Sequence, residues 1–352
     1  MATVLFIDLT EGHNPHLTTE KPTGGTLTSL TYVPRYLASQ GHTIYVRSTY
    51  EKTEDIDGVH YIQNGAELPK WDIVVLNRNV MPDEVIQESK RIGAKIVWWL
   101  HDIVDFRYLA NDNFKQMDYI VALSSYCRDT FSRFYSIPEE RFFIIPNGVD
   151  TDIFYPGEYE KRNSNLYITA SALIKGYVPL DITYTNLKRH NPDLDFRIYS
   201  NQSLHGFKNN SAQEKFLHQM EGAGAHIYAP LTPKSLGVIM RQAWCLLMPN
   251  SYPEICSNLL LQARASGLPV LSSNIGANPE FIRHGETGIL TLDYQPHDLH
   301  SWRAEFAGLA CKLYLNKELH KTISQNTIIG VPTWENVGSA WNDLIKTICV
   351  EG

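Results

Sequence analysis

Short apolar runs recur along the chain, separated by stretches with a helical period. TVLFIDL (3–9), HTIYVRS (42–48), WDIVVLN (71–77), AKIVWWL (94–100), MDYIVALS (117–124) and FFIIPN (142–147) have the length and Val/Ile content of strands buried on both faces. Between the first two lies TLTSLTYVPRYLASQG (26–41), which reads as a helix ended by Gly41 despite Pro34. Residues 82–92 and 124–135 are also helical by period. The pattern then restarts. NLYITAS (165–171), DFRIYSN (195–201), AHIYAPL (225–231), WCLLMPN (244–250) and LPVLSS (268–273) read as strands joined by helices. Near-continuous buried strands alternating with helices predict parallel sheets covered on both sides.

The segment TDIFYPGEYEKRNSN (151–165) carries Pro, Gly and charges without a period, so it is expected to link two halves. The chain is therefore read as α/β with two doubly wound, Rossmann-like domains, residues 1–155 and 165–330, facing across a cleft. Ligands of such sheets sit beyond the carboxyl ends of the strands, which makes a shared cleft the place to look. Residues 331–352 form a third segment, a C-terminal helix expected to cross back and pack on the first domain. Within it TWENVGSAWNDLIKTIC (333–349) predicts a packing helix with Val337, Trp341, Leu344, Ile345 and Ile348 on one stripe and Thr333 as its cap.

Composition adds exclusions. A chain of 352 residues exceeds one ordinary core, and 43% hydrophobic with 20% charged residues is a globular balance. No apolar run reaches the ~20 residues of a membrane span. MATVLFIDLT lacks a basic start and reads as a strand rather than a signal peptide. Five scattered cysteines (Cys127, Cys245, Cys256, Cys311, Cys349) without a CxxC pair suggest reduced thiols and a cytoplasmic location. His13 with His16, or His297 with His300, has metal-pair spacing but no third ligand nearby, so no metal is expected. Residues 1–160 hold 14 Lys+Arg against 23 Asp+Glu, a balance of −9, and residues 161–352 hold 17 against 15, or +2. The acidic first half argues against nucleic acid, and the second half tolerates an anionic ligand better. Peripheral membrane contact is left open.

NSYPEICSNLLLQARASGLPV (250–270) is where chemistry is expected. Glu254 follows a strand, and Cys256, Ser257 and Asn258 would form the small or polar first turn of a helix. Amide donors and the dipole at such a helix start favour an anion, phosphate above all. Gln262 lies eight residues beyond Glu254, which is ~12 Å along a helix axis. The two could hold opposite ends of one elongated ligand. In the first half, Gly24 and Gly25 follow strand one and let backbone approach a ligand. His101 and Asp102 end the WWLHD strand, and Arg78 and Asn79 end LNRNV. Each also has a plainer account. Glu254 would be a dipole-stabilised helix-start carboxylate, Gln262 a surface residue, the glycines a helix entry turn and His101 a structural imidazole.

The Glu254 stretch resembles the signature of glycosyltransferase family 4, which has the GT-B fold. In that family a Glu, seven residues and a second Glu precede A-x-A-x-G-x-P-V-I. GANPEFIRHGETGIL (276–290), IPNGVDTDIFYP (145–156), PTGGTLTSL (22–30) and the closing TWENV match further family segments in order, over essentially the whole chain. The resemblance implies that Glu254 meets the donor sugar. It implies that the amides of Cys256 to Asn258 meet the diphosphate or sugar, and that position 262 holds the nucleotide ribose. Here Gln262 replaces the second Glu, so ribose recognition lacks charge assistance. Lys175-Gly176 is kept in ITASALIKGYVPL (168–180), but Ala172 stands where the usual Arg of the diphosphate clamp would be. Lys175 would serve as the point-charge partner of phosphate. By the same resemblance residues 1–155 bind the acceptor and residues 165–330 the nucleotide-sugar, Gly24 and Gly25 face the donor, and His101 or Asp102 lies near the reactive carbon and the acceptor. Glu280 falls in the donor pocket or has a structural role, and Asn147 shapes the interdomain loop.

The implied activity is retaining, metal-independent transfer of a sugar from a nucleotide-sugar, UDP- or GDP-linked, to a glycan or other hydroxyl acceptor. The nucleotide-sugar is a substrate, and no cofactor is expected. DLD (193–195) precedes a strand rather than ending one, so Lys175 and the helix start would stabilise the departing diphosphate in place of a metal. The base is expected near Tyr228 to Leu231. A nucleotide-sugar epimerase of the same fold and a non-catalytic sugar-nucleotide binder are the rival readings. A nicotinamide enzyme is disfavoured because no GxGxxG follows strand one.

Overall fold

The computed structural model describes residues 1–9, 12–78, 82–103, 113–199, 208–292 and 298–351. The chain forms two compact units. The first comprises Met1–Thr18, Gly25–Gly148 and Pro332–Gly352, and the second Thr19–Gly24 and Val149–Val331.

The first unit is built on an eight-stranded sheet. Its strands are β1 (Thr3–Asp8), β2 (Thr43–Ser48), β3 (Glu54–Ile56), β4 (Val59–Ile62), β5 (Ile73–Asn77), β6 (Lys95–Trp99), β7 (Tyr119–Ala122) and β8 (Phe142–Ile144), in spatial order β3-β4-β2-β1-β5-β6-β7-β8. All neighbours are parallel except β3 and β4, which form a hairpin. Its two turn residues, Asp57 (φ 51°) and Gly58 (φ 79°), take the left-handed conformations that a tight two-residue hairpin demands. The apolar runs had not suggested this hairpin, because EDI and VHYI are short and partly polar.

Helices α1 (Gly25–Ser39), α2 (Asp83–Ile92) and α3 (Ser125–Tyr135) follow β1, β5 and β7. Pro34 lies buried inside α1, which continues through it. The last helix of the chain, here α11 (Trp334–Glu351), belongs to this unit and completes its core. Trp341 is 1% exposed and packs edge-on to Trp99 at 4.8 Å and against Phe6 at 6.1 Å. A side chain at Gly338 would run into Tyr36, its Cβ 2.2 Å from that ring, so the absence of one lets α11 lie directly on α1. Trp334 stacks on Tyr32 at 5.0 Å. Asn336 and Thr333 cap the start reciprocally, with the Asn336 amide donating to Thr333 Oγ1 and the Thr333 amide to Asn336 Oδ1.

The second unit holds a six-stranded parallel sheet. Its strands are β9 (Asn163–Thr169), β10 (Asp195–Ile198), β11 (His226–Ile227), β12 (Ala243–Met248), β13 (Val270–Ser272) and β14 (Ile289–Leu290), ordered β11-β10-β9-β12-β13-β14. Helices α4 (Leu180–His190), α5 (Ser211–Gly222), α6 (Pro233–Gln242), α7 (Asn258–Ala265), α8 (Asn278–Phe281), α9 (Leu299–Leu315) and α10 (Lys317–Asn326) complete it. Residues 151–165 are not a free linker, because they are tied to α6. Arg241 donates to Ile153 O at 2.9 Å and its guanidinium lies 4.1 Å from the Tyr155 ring centre. Gly157 packs so close that a Cβ would sit 2.8 Å from Arg241 O. Two buried arginines staple the layers. Arg162 donates to the carbonyls of Met240, Ala243 and Ser266, and Arg264 to those of Phe281, Thr327 and Ile329.

Candidate functional site

At the carboxyl ends of the adjacent strands β9, β12 and β13, three loops meet around Glu254. The β9 loop turns through Leu173–Lys175 into Gly176 (φ 142°). There the Lys175 carbonyl accepts from the amides of Ser251 (2.7 Å) and Tyr252 (3.1 Å) in the β12 loop. A Cβ on Gly176 would lie 2.1 Å from Pro249 O, so only glycine lets the two loops touch. From the other side Gly276 (φ 61°) lies flat on Glu254, where a Cβ would be 2.5 Å from its carbonyl oxygen. The Ala277 amide donates to that oxygen at 2.8 Å. Gly276 thus holds the Glu254 backbone directly, while Gly176 fixes the preceding loop, Pro249–Ser251, against Lys175.

The result is an ion pair the sequence had not suggested. Lys175 Nζ lies 2.9 Å from Glu254 Oε1, with Glu254 only 7% exposed overall. Asn250 Nδ2 reaches the same oxygen at 3.4 Å, while Asn250 Oδ1 has no hydrogen-bond partner among the described residues. Asn250 is fully buried and was not singled out in the sequence, where it closes the WCLLMPN run read as a strand.

Helix α7 starts at Asn258, with Ser257 as its N-cap residue, so Cys256 and Ser257 precede the helix rather than form its first turn. The Ser257 hydroxyl makes no capping bond to the helix, although serine at this position usually does. Glu254 lies outside α7, separated from it by the bend at Ile255–Cys256, so helical spacing does not relate it to Gln262. Gln262 is half-buried on α7, one turn after Asn258. Arg264 fixes the far side of this helix through its three carbonyl partners. At the ends of β10 and β11, Tyr228 is 44% exposed and stacks on Tyr199 at 5.3 Å, with the Arg197 guanidinium 6.0 Å from its ring. Asp195 holds Arg197 in a two-pronged pair. Gly24 groups with this unit in the short segment Thr19–Gly24, where Glu20 pairs with Lys234.

The first unit gathers its own polar cluster at the carboxyl edge of its sheet. Gly25 opens α1, and Thr26 in the first turn accepts from Arg78 Nε (3.1 Å) and Nη2 (2.6 Å). Arg78 adopts φ 57°, rare for a side-chain-bearing residue, and its carbonyl accepts from Trp98 Nε1. Buried Asn77 donates to buried Asp8 at 2.7 Å. His101 follows β6 with its ring 4.5 Å from that of Trp99, and its Nε2 is buried without a hydrogen-bond partner among the described residues. Burial, reinforced by the Arg78 charge, pushes its pKa well below the usual imidazole range, so the ring is neutral. Asp102 is next to it and half-buried. Asn147 is buried and accepts from Ser29 Oγ at 3.0 Å within this unit. Glu280 is exposed on α8. Asn79 and His297 lie outside the described residues. His13 is engaged by Ser48 and Thr31 on its two ring nitrogens. Among the described residues no helix is long and apolar enough to cross a membrane.

A family model described as Glycosyltransferase Family 4 matches residues 23–153, and one described as Glycosyl transferases group 1 matches residues 169–305. Together they take in most of the chain, which belongs to the family 4-like glycosyltransferases of GT-B fold. Among solved structures it is similar to sucrose-phosphate synthase from Thermosynechococcus elongatus, with a TM-score of 0.78, 12% identity and all of both chains covered. It is also similar to Anabaena HepE in complex with UDP-glucose, with a TM-score of 0.70, 17% identity and 99% and 100% of the two chains covered. Among curated sequences it is 29% identical over 178 residues to D-inositol 3-phosphate glycosyltransferase from Paenarthrobacter aurescens. That match takes in 47% of this chain and spans 42% of the relative's length.

Proposed function

We propose that the protein transfers a sugar from a UDP- or GDP-linked donor to a hydroxyl of a carbohydrate or glycoconjugate, with retention and without a metal ion. The observation that carries this reading is the Glu254–Lys175 pair, held by two glycine contacts just ahead of α7. It offers a carboxylate for sugar hydroxyls and an ammonium for phosphate at one point, next to the amide end of a helix. The diphosphate leaves with negative charge building on its oxygen, and Lys175 with the start of α7 stabilises that charge where other transferases place a divalent ion. Ser257, whose hydroxyl does not cap its own helix, is a further donor toward the diphosphate. Gln262 bonds the ribose as a neutral amide, and Tyr228, backed by Tyr199, gives the base an aromatic face. Gly24 and Gly25 admit the donor to the backbone before α1. The family resemblance gives the acceptor proton to the departing phosphate, with His101 or Asp102 assisting. Bound UDP-glucose in the HepE relative of the same fold fits a sugar-nucleotide donor.

The test is a thermal-shift comparison of UDP, GDP, ADP and dTDP, in which the cognate nucleotide raises the melting midpoint. Glu254→Ala then lowers turnover by about 10²–10³ while the fold is retained, a loss of the size seen when one polar group at a developing charge is removed. Full turnover in that variant contradicts the assignment.

A further inference from the structure

Lys175 and Glu254 are two contacts for one donor, yet in the structure they are each other's partner at 2.9 Å. The Glu254 side chain keeps 9% of its exposure and that of Lys175 29%. Asn250 Nδ2, at 3.4 Å, is at the limit of a hydrogen bond, so the ammonium is the main compensation for a nearly buried carboxylate. The pair cannot loosen by drift of the loops. The Lys175 carbonyl is bonded to Ser251 and Tyr252, and Gly176 lies against Pro249.

A ligand that presents only phosphate therefore meets two penalties. It draws the ammonium from the carboxylate, and it brings its own negative charge beside Glu254. A ligand that adds a sugar supplies hydroxyl donors to the same carboxylate and offsets both. On the donor-site reading above, we infer that the Lys175–Glu254 pair is a selector for intact donor over spent nucleotide. It disfavours the bare nucleoside diphosphate and so favours its departure. Glu254 thus has a role in product release that is separable from its grip on the sugar.

The experiment is calorimetric titration of the wild-type chain and Glu254→Gln with UDP and UDP-glucose, and with GDP and GDP-mannose. Circular dichroism confirms the fold, and Glu254→Ala serves as second variant. Loss of the charge is expected to tighten the diphosphate about fivefold, the scale of one partly exposed ion pair, without tightening the sugar nucleotide. Unchanged or weaker diphosphate binding in both variants, with the wild type binding normally, overturns the selector and leaves the donor site standing. Equal tightening of diphosphate and sugar nucleotide also overturns it. Failure of the wild type to bind any of the four ligands removes the donor-site reading and the selector together.

Discussion

Gly176→Ala probes the contact on which the site is built. Alanine at φ 142° and ψ 138° enters a region occupied almost only by glycine, at ~1–3 kcal/mol. Its Cβ would lie 2.1 Å from Pro249 O and 2.7 Å from the Ser251 amide nitrogen, both backbone atoms that no rotamer change can move. An ordinary carbon–oxygen contact is ~3.4 Å, so the loops must part by more than ~1 Å. Parting strains the two bonds to the Lys175 carbonyl, each ~1 kcal/mol net. The sum is about 3–5 kcal/mol if the loops hold, or roughly 10 °C in the melting midpoint of a unit this size. If the loops yield instead, less stability is lost, and Lys175 moves off Glu254 with a fall in donor affinity. Differential scanning calorimetry and titration with the intact donors, UDP-glucose or GDP-mannose, read the two outcomes. A variant that melts within about 1 °C of wild type and binds the donor as tightly refutes the reasoning.

Other consequences follow from the same structure. Burial holds the His13 and His320 pKa values down to about 4, with the nearby charges of Arg35 and Arg162 acting in the same direction. Both rings are neutral in the fold, so the unfolded chain binds the extra protons. Stability should be complete above pH ~6.5 and fall as pH drops towards 4, by up to ~1.4 kcal/mol per pH unit for each ring. His320→Asn should remove one proton's worth of that slope in urea melts run at stepped pH, and an unchanged slope counts against the assignment. Arg264→Met strips donors from the carbonyls of Phe281, Thr327 and Ile329 and should destabilise the chain by about 3 kcal/mol, read as a shift in urea midpoint. Gln262→Glu should tighten a ribonucleotide about threefold and leave its 2′,3′-dideoxy analogue unchanged, since a charged acceptor roughly doubles the strength of a hydroxyl bond. Equal effects on both would place residue 262 away from the ribose.

Much of the architecture was legible because buried parallel strands write themselves as unbroken apolar runs. TVLFIDL and AKIVWWL fall within a residue or two of β1 and β6. The Asp57-Gly58 hairpin was missed, although DG between Ile56 and Val59 is a turn signal, because Glu54 and Asp55 hide the strand before it. Residues 151–165 looked like a linker because polarity was visible while their ties to Arg241 were not. The parts of the site were legible one by one: a lysine before a glycine, a glutamate after Tyr-Pro. Their pairing was not. It depends on two backbones meeting across β9 and β12, a contact set by missing Cβ atoms that no periodicity reports. Helical arithmetic from Glu254 to Gln262 failed because the bend at Ile255–Cys256 keeps the glutamate off the helix.

Trp341, wedged between Phe6 and Trp99, has a consequence for how the chain is made. A ribosome delivers residues 1–148 early but withholds α11 until residues 149–331 have emerged. The later-made unit thus has all its strands while the earlier one still lacks a wall, leaving two large aromatic rings for a chaperone, or a neighbouring nascent chain, to find first.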